Sequence, residues 1–218
     1  MARRIRSLKV ERIADLPDPC CACALWETGG RHPLRCEPAQ ARAELVAWVE
    51  TVNAEWGRCG RIAYENGEPL GFVKYAPPRF FPHAAMMPSG APDADAVLIA
   101  CLHVEPDVRE TGLDKVLLQA ALRDLVSRGE RVVEAYGTTG SAERELSPLM
   151  PVEFLLRQGF AVARPHPTTP LMRLELKSLA TWTENIEAVL EALQIQRRVG
   201  ERIPAPLVSP MRDKETQR

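Results

Sequence analysis

Val104-Glu105-Pro106-Asp107-Val108-Arg109-Glu110-Thr111-Gly112-Leu113-Asp114-Lys115 is the stretch on which the fold turns. Before it, Ala96 to Val104 is an almost unbroken apolar run, the pattern of a central strand covered on both faces. Pro106 ends that strand. After it, Gly112 to Arg128 reads as a helix with Leu113, Val116, Leu117, Ala120, Ala121 and Leu125 on its inner face, and Gly129 suits its C-terminal cap. A buried strand thus runs through a short turn into a helix that opens at a glycine. The first amides of a helix lack internal partners and sit at the positive end of its dipole. They form an anion site of the kind that holds a pyrophosphate. Gly112 permits close backbone approach, and Arg109 and Lys115 add positive charge. The competing reading is an ordinary capped helix, in which Thr111 and Asp114 take up the same amides.

Outward from this turn the chain alternates strands and helices. Ile5 to Val10 reads as a first strand, and Pro17 to Pro38 as an irregular stretch holding four of the cysteines. A helix over Gln40 to Trp56 carries Leu45, Trp48, Val49, Val52 and Trp56 on one stripe. Arg61–Tyr64 and Leu70–Tyr75 flank Glu65-Asn66-Gly67-Glu68, and Asn-Gly supplies the positive φ angles of a tight hairpin. Ala76 to Asp95 is a long loop, Arg131 to Tyr136 a fifth strand, and Gly137 to Met150 irregular. A short helix starts at Pro151 and stops at Gly159, and Leu171 to Leu176 is a last strand. Thr181-Trp182-Thr183-Glu184 is a capping box opening an amphipathic helix with Ile186, Val189, Leu190 and Leu193. The expected organisation is one domain over 1–180, a C-terminal helix over 181–198 and a disordered tail over 199–218. The element order gives an α/β class, a mixed sheet with helices on both faces.

Composition narrows the function classes. The chain has 218 residues, a formal net charge of −1 and 45% hydrophobic residues. That is enough to bury a sizeable core, and too neutral for nucleic acid to be the expected ligand. No apolar stretch is long enough for a membrane span, and the first residues lack the apolar core of a signal peptide, so a cytoplasmic location is expected. The cysteines then read as thiols or ligands rather than a disulfide framework. Cys20-x2-Cys23 with His32-x3-Cys36 has zinc-type spacings, but the pairs differ and Cys21 is left over, so no metal is expected.

Arg109-x-x-Gly112-x-Asp114, Phe154-Leu155-Leu156-Arg157-Gln158-Gly159-Phe160 some forty residues on, and Met172-Arg173-Leu174-Glu175-Leu176 together resemble the GNAT N-acetyltransferase family over about Ile5 to Leu176. The family's marks are Arg/Gln-x-x-Gly-x-Gly/Ala after its fourth strand and a Phe-Tyr-x-x-x-Gly-Phe helix end. The resemblance implies a mixed, mostly antiparallel sheet whose fourth and fifth strands, here Ala96–Val104 and Arg131–Tyr136, splay apart around acetyl-CoA as co-substrate. It implies backbone hydrogen bonds to the pantetheine arm from Leu102, His103 and Val104. It also implies a pyrophosphate held over Arg109, Glu110, Thr111, Gly112, Leu113, Asp114 and Lys115. The expected reaction is direct transfer of an acetyl group to a primary amine, on a small molecule or a protein. A homodimer is compatible with it. The alternative is a non-catalytic acyl-CoA sensor, or a partner-binding protein, on the same fold.

Three positions depart from the family pattern. Asp114 stands where glycine or alanine is usual, Leu155 where a tyrosine often protonates the leaving thiolate, and Leu98, Ala100 and Leu102 offer no base. Glu134 and Tyr136, alternating on the fifth strand and so sharing a face, are the candidates for acid–base work. Their bland reading is a surface pair and a packed edge. His103 and Glu105 are expected on the fourth strand's other face. Trp26 and Glu27 are one expected wall of an acceptor pocket, against plain packing of Trp26, and Phe80, Phe81, His83, Met86 and Met87 of the long loop are a second, against an oligomer contact or a mobile connection.

Overall fold

The computed structural model describes residues 3–28, 37–140 and 149–176. His32, Cys36, the helix expected from Thr181 and the tail beyond it lie outside the described residues.

The strands are β1 (Arg3–Ser7), β2 (Gly60–Glu65), β3 (Glu68–Ala76), β4 (Val97–Val104), β5 (Val132–Thr138), β6 (Met150–Pro151), β7 (Ala161–Arg164) and β8 (Leu171–Glu175). They form one sheet in the order β1-β2-β3-β4-β5-β8-β7, with β6 beside β5. Pairing is antiparallel except for β4 with β5 and β5 with β6. The first strand starts and ends earlier than its expected span, and Val10 instead opens a 3-10 segment, Val10–Asp15. The β2–β3 turn is as expected: Asn66 (φ 55°) and Gly67 (φ 96°) both take the left-handed region that a two-residue hairpin demands.

Helices cover the sheet. α1 (Pro38–Glu55) starts on a proline and buries Leu45, Trp48, Val49 and Val52. α2 (Leu113–Ser127) buries Leu113, Leu117, Leu118, Ala121, Leu122, Asp124 and Leu125. Val116, expected inside, is 42% exposed. The buried arc of α2 runs through Leu117, Leu118, Ala121 and Leu122, which leaves Val116 at its edge. α3 (Val152–Arg157) packs beside β5 and β6, with Leu155 fully buried near Gly137.

The main core lies between α1 and one face of the sheet. It joins Leu45, Trp48, Val49 and Val52 of α1 to Ile62, Phe72, Ala76, Leu98 and Tyr136 of the strands. Phe80, Phe81 and Ala84 belong to it too. The long loop is therefore not a loose wall. It forms two short 3-10 turns, Pro78–Phe80 and Pro82–Met86, and the Trp48 indole donates to Phe80 O at 2.7 Å. Phe80 and Phe81 are 8% and 1% exposed, which makes them packing residues rather than the pocket lining expected of them.

One irregularity sets the geometry of β4. Lys74 pairs with Cys101 and Tyr75 with Ile99, so Ala100 is an extra residue, a bulge. The bulge resets the alternation of side chains. His103 comes opposite Phe72 and stacks on it at 6.0 Å, on the same side as Leu98, instead of the opposite face expected from strict alternation.

Candidate active site

β4 and β5 pair only at Val97–Val133 and Leu98–Glu134. Beyond Leu98, β4 continues to Val104 with β3 as its partner, while β5 continues to Thr138 beside β8 and β6. The two central strands therefore part company where the Ala100 bulge falls. Among the described residues this leaves the β5-side edge of β4 without a strand partner along Ile99–Val104, and such edges carry unpaired peptide groups.

The open edge leads to the turn. Pro106–Thr111 is a 3-10 segment, Gly112 takes the left-handed conformation (φ 73°), and α2 begins at Leu113. A non-glycine residue would be strained there. Among the described residues, a side chain at Gly112 would meet nothing within 4 Å of its Cβ. Among the described residues no protein group accepts from the N–H groups of Gly112, Leu113 and Asp114. Lys115 is different: its N–H donates to Asp114 Oδ1 at 2.7 Å. Thr111 does not cap the helix, since its hydroxyl donates to Val108 O at 2.8 Å. Arg109 Nε donates to Val104 O at 3.3 Å, which ties the turn to the end of β4. Glu110, Thr111 and Lys115 are exposed, and Leu102 and His103 are half-buried. Burial lowers the His103 pKa, against the opposing pull of Glu105.

Glu134 and Tyr136 do share a face, at the point of divergence. Both are buried and both are engaged. Glu134 accepts from the Asp93 N–H at 2.8 Å and from Arg173 Nη1 at 3.0 Å. The Tyr136 hydroxyl lies 2.9 Å from Ala84 O and 2.7 Å from Gly90 O, and burial raises its pKa. Together they anchor the segment 84–93 to β5.

On the same face lies a buried ion pair. Lys74 of β3 donates to Glu27, and their side chains are 5% and 2% exposed. Burial is the largest single influence on Lys74 and lowers its pKa, but the charge and hydrogen bond of Glu27, with the neighbouring Cys101 and Cys23, together outweigh it and the pKa is raised. Lys74 also sits 5.5 Å from the Trp48 ring. Trp26 stacks on Tyr136 at 5.8 Å and meets His83 edge-on at 5.5 Å. Glu27 is a candidate in the sequence from its place beside Trp26. Lys74 escapes a sequence reading, although a lysine within an otherwise apolar, buried strand end is its signal.

Cys20, Cys21, Cys23, Cys59 and Cys101 are free thiols, and burial pushes Cys20 and Cys59 up to about 12. Among the described residues no group of three His, Cys, Asp or Glu is placed to hold a metal ion. Among the same residues no helix is long and apolar enough to cross a membrane. Two surface grooves of about 450 and 550 Å³ adjoin β1, which β2 and β3 separate from β4.

A comparison with curated proteins finds no match. Solved structures do match. An N-acetyltransferase from Staphylococcus aureus Mu50 aligns over 81% of this chain and 99% of its own, at 18% identity and a TM-score of 0.53. The putative acetyltransferase yncA from Salmonella typhimurium, solved with acetyl-CoA, aligns over 81% and 95%, at 16% identity and 0.55. PaiA N-acetyltransferase from Thermoplasma acidophilum, solved with coenzyme A, aligns over 80% and 99%, at 14% identity and 0.52. These likenesses establish the fold. The family model for the acetyltransferase (GNAT) family matches residues 22–145, more than half of the chain. With its strands parted beside an open helix mouth, the chain belongs to the GNAT acetyltransferase family.

Proposed function

We propose that the chain transfers an acetyl group from acetyl-CoA directly to a primary amine. The observation that carries this reading is the parting of β4 and β5 after Leu98–Glu134, beside the unpartnered amides of Gly112, Leu113 and Asp114. The free edge of β4 offers Leu102, His103 and Val104 backbone groups to a pantetheine arm, as to an added strand. The helix mouth and Arg109 offer positive charge to the diphosphate, with Glu110, Thr111 and Lys115 at its rim. The solved relatives bound to coenzyme A and acetyl-CoA support the same co-substrate here.

In the transfer, the amine nitrogen forms a bond to the acetyl carbonyl carbon. The carbon–sulfur bond breaks, sulfur leaves as a thiolate, and one proton leaves the nitrogen. In this reading Glu134 and Tyr136 act by holding the 84–93 segment against β5, and water carries the proton. Leu155 is fully buried and contributes packing only.

Asp114 favours a second reading, a non-catalytic sensor, because its carboxylate occupies one helix amide and opposes an anion. Two measurements separate the readings. Calorimetry with acetyl-CoA should show binding, and its absence sinks both. A thiol-release assay over an amine panel should show turnover, whereas binding without release for every amine favours the sensor.

A further inference from the structure

The buried face beside the strand opening holds polar atoms that the protein leaves without partners. Trp26 Nε1, Glu27 Oε2, His83 Nδ1 and Ser89 Oγ are all buried and have no protein hydrogen-bond partner among the described residues. Such groups are uncommon, since each loses its hydration without compensation. Here they occur in two segments that lie against each other. The His83 N–H donates to Trp26 O at 3.2 Å, and the two rings meet at 5.5 Å. The Glu27 charge acts on His83, opposing the lowering of its pKa by burial. Ser89 adjoins Gly90, whose carbonyl receives the Tyr136 hydroxyl. Tyr136 stands two residues beyond Glu134, the last β5 residue paired with β4, and Trp26 stacks on it. The unpartnered atoms therefore gather next to the place where the central strands part. His83 and Ser89 are partly exposed as residues, while the four atoms themselves are buried, so the 82–90 segment is the part of the cluster nearest solvent.

The chemistry of these atoms defines a complementary ligand. Glu27 Oε1 is committed to Lys74, and Oε2 remains to accept from an N–H donor, best a cationic one. Trp26 Nε1 can only donate, so it calls for an oxygen acceptor on the ligand. Ser89 serves in either sense, and His83 according to its tautomer. A ligand carboxylate would meet the Glu27 charge. Of the nearby cations, Lys74 is bound by Glu27 and Arg164 by Asp93 at 3.2 Å. We propose that this cluster is the acceptor subsite, and that it selects a compact primary amine with a neutral hydroxyl or carbonyl near its nitrogen over one with a carboxylate. This rests on the acetyl-transfer reading above.

The test is thermal unfolding of the full chain saturated with coenzyme A, with glycinamide, ethanolamine or glycine added in large excess. Glycinamide or ethanolamine should raise Tm, by about 3 °C at ten times its dissociation constant in a domain of this size, and glycine should not. The rise should vanish in Trp26→Phe, which keeps the aromatic ring and loses the N–H. It should also vanish in the double variant Glu27→Gln/Lys74→Met, which removes both buried charges together. No rise with either carboxylate-free amine, an equal rise with glycine, or a rise that survives both variants overturns the proposal. Failure of coenzyme A itself to raise Tm overturns the underlying reading instead, so the two failures are distinct.

Discussion

Two buried carboxylates, one on each side of the sheet, are treated in opposite ways. Asp124 of α2 is saturated: Arg58 and Arg61 reach Oδ1, with Arg61 at 2.8 Å, Tyr75 donates to Oδ2 at 2.7 Å, and Arg128 lies 3.7 Å away. Glu27 on the α1 side has one partner, Lys74, and one oxygen with none. A carboxylate with every lone pair engaged has no capacity left for a ligand and works as a joint between α2, β2 and β3. A carboxylate with capacity to spare, beside the parted strands, is placed to meet something from outside. The contrast distinguishes scaffold from site without reference to where a residue falls in the sequence.

The comparison breaks first at Asp124. Replacing it with asparagine should cost about 3 kcal/mol in denaturant unfolding, because the arginines lose the charge they surround. Acetyl-CoA binding by the folded fraction should be unchanged. The pH dependence has a definite sign. Burial would raise the Asp124 pKa, but hydrogen bonds from Arg58 and Tyr75 and the charge of Arg61 outweigh it and the pKa is lowered. A depressed carboxylate contributes stability that is complete above its unfolded value of about 3.9 and is lost as the pH falls through the folded value. Wild type should lose this part of its stability below about pH 4, and Asp124→Asn should not. An unaltered acid limb in the variant would remove Asp124 from its role as a hub.

At the helix mouth, Gly112→Val should weaken acetyl-CoA binding about tenfold, or about 1.4 kcal/mol, by calorimetry. The added side chain enters open space at φ 73°, so strain and obstruction act together. Unchanged affinity would mean that the mouth is not where the diphosphate sits. On the other side of the comparison, Glu27→Gln/Lys74→Met should change unfolding stability by less than about 1 kcal/mol, because removing a whole buried pair also removes its desolvation cost. A loss as large as that of Asp124→Asn would make the two carboxylates equivalent and end the distinction.

The hairpin, the central strand, the turn at Gly112 and the family's spaced marks are legible in the sequence, since each is a local pattern with one physical cause. Asn66-Gly67 could hardly be anything but a tight turn. The face assignment of β4 is not legible, because a bulge at Ala100 leaves no trace in an all-apolar run. Phe80 and Phe81 read as a pocket wall because loop length suggests exposure, while their burial depends on Trp48 from a distant helix. Asp124 does leave a signal, a charge set seven residues after Leu117 on the stripe α2 buries. Its partners on β2 and β3 leave none, because side-chain convergence across elements has no sequence period. The strand β7 is too short to announce itself.

Asp114 gives the smallest effect and the sharpest distinction between enzyme and sensor. Its carboxylate holds the Lys115 N–H and places a negative charge within the first turn of α2. Asp114→Ala should free that amide and remove a repulsion, tightening acetyl-CoA binding about threefold at low salt and less as salt screens the charge. The helix should lose about 0.5 kcal/mol for want of a favourable charge at its N-terminus. If affinity rises and thiol release rises with it, Asp114 limits an enzyme that already turns over. If affinity falls instead, Asp114 helps to order the amides that meet the diphosphate, and its departure from the family pattern is a different way of building the same mouth.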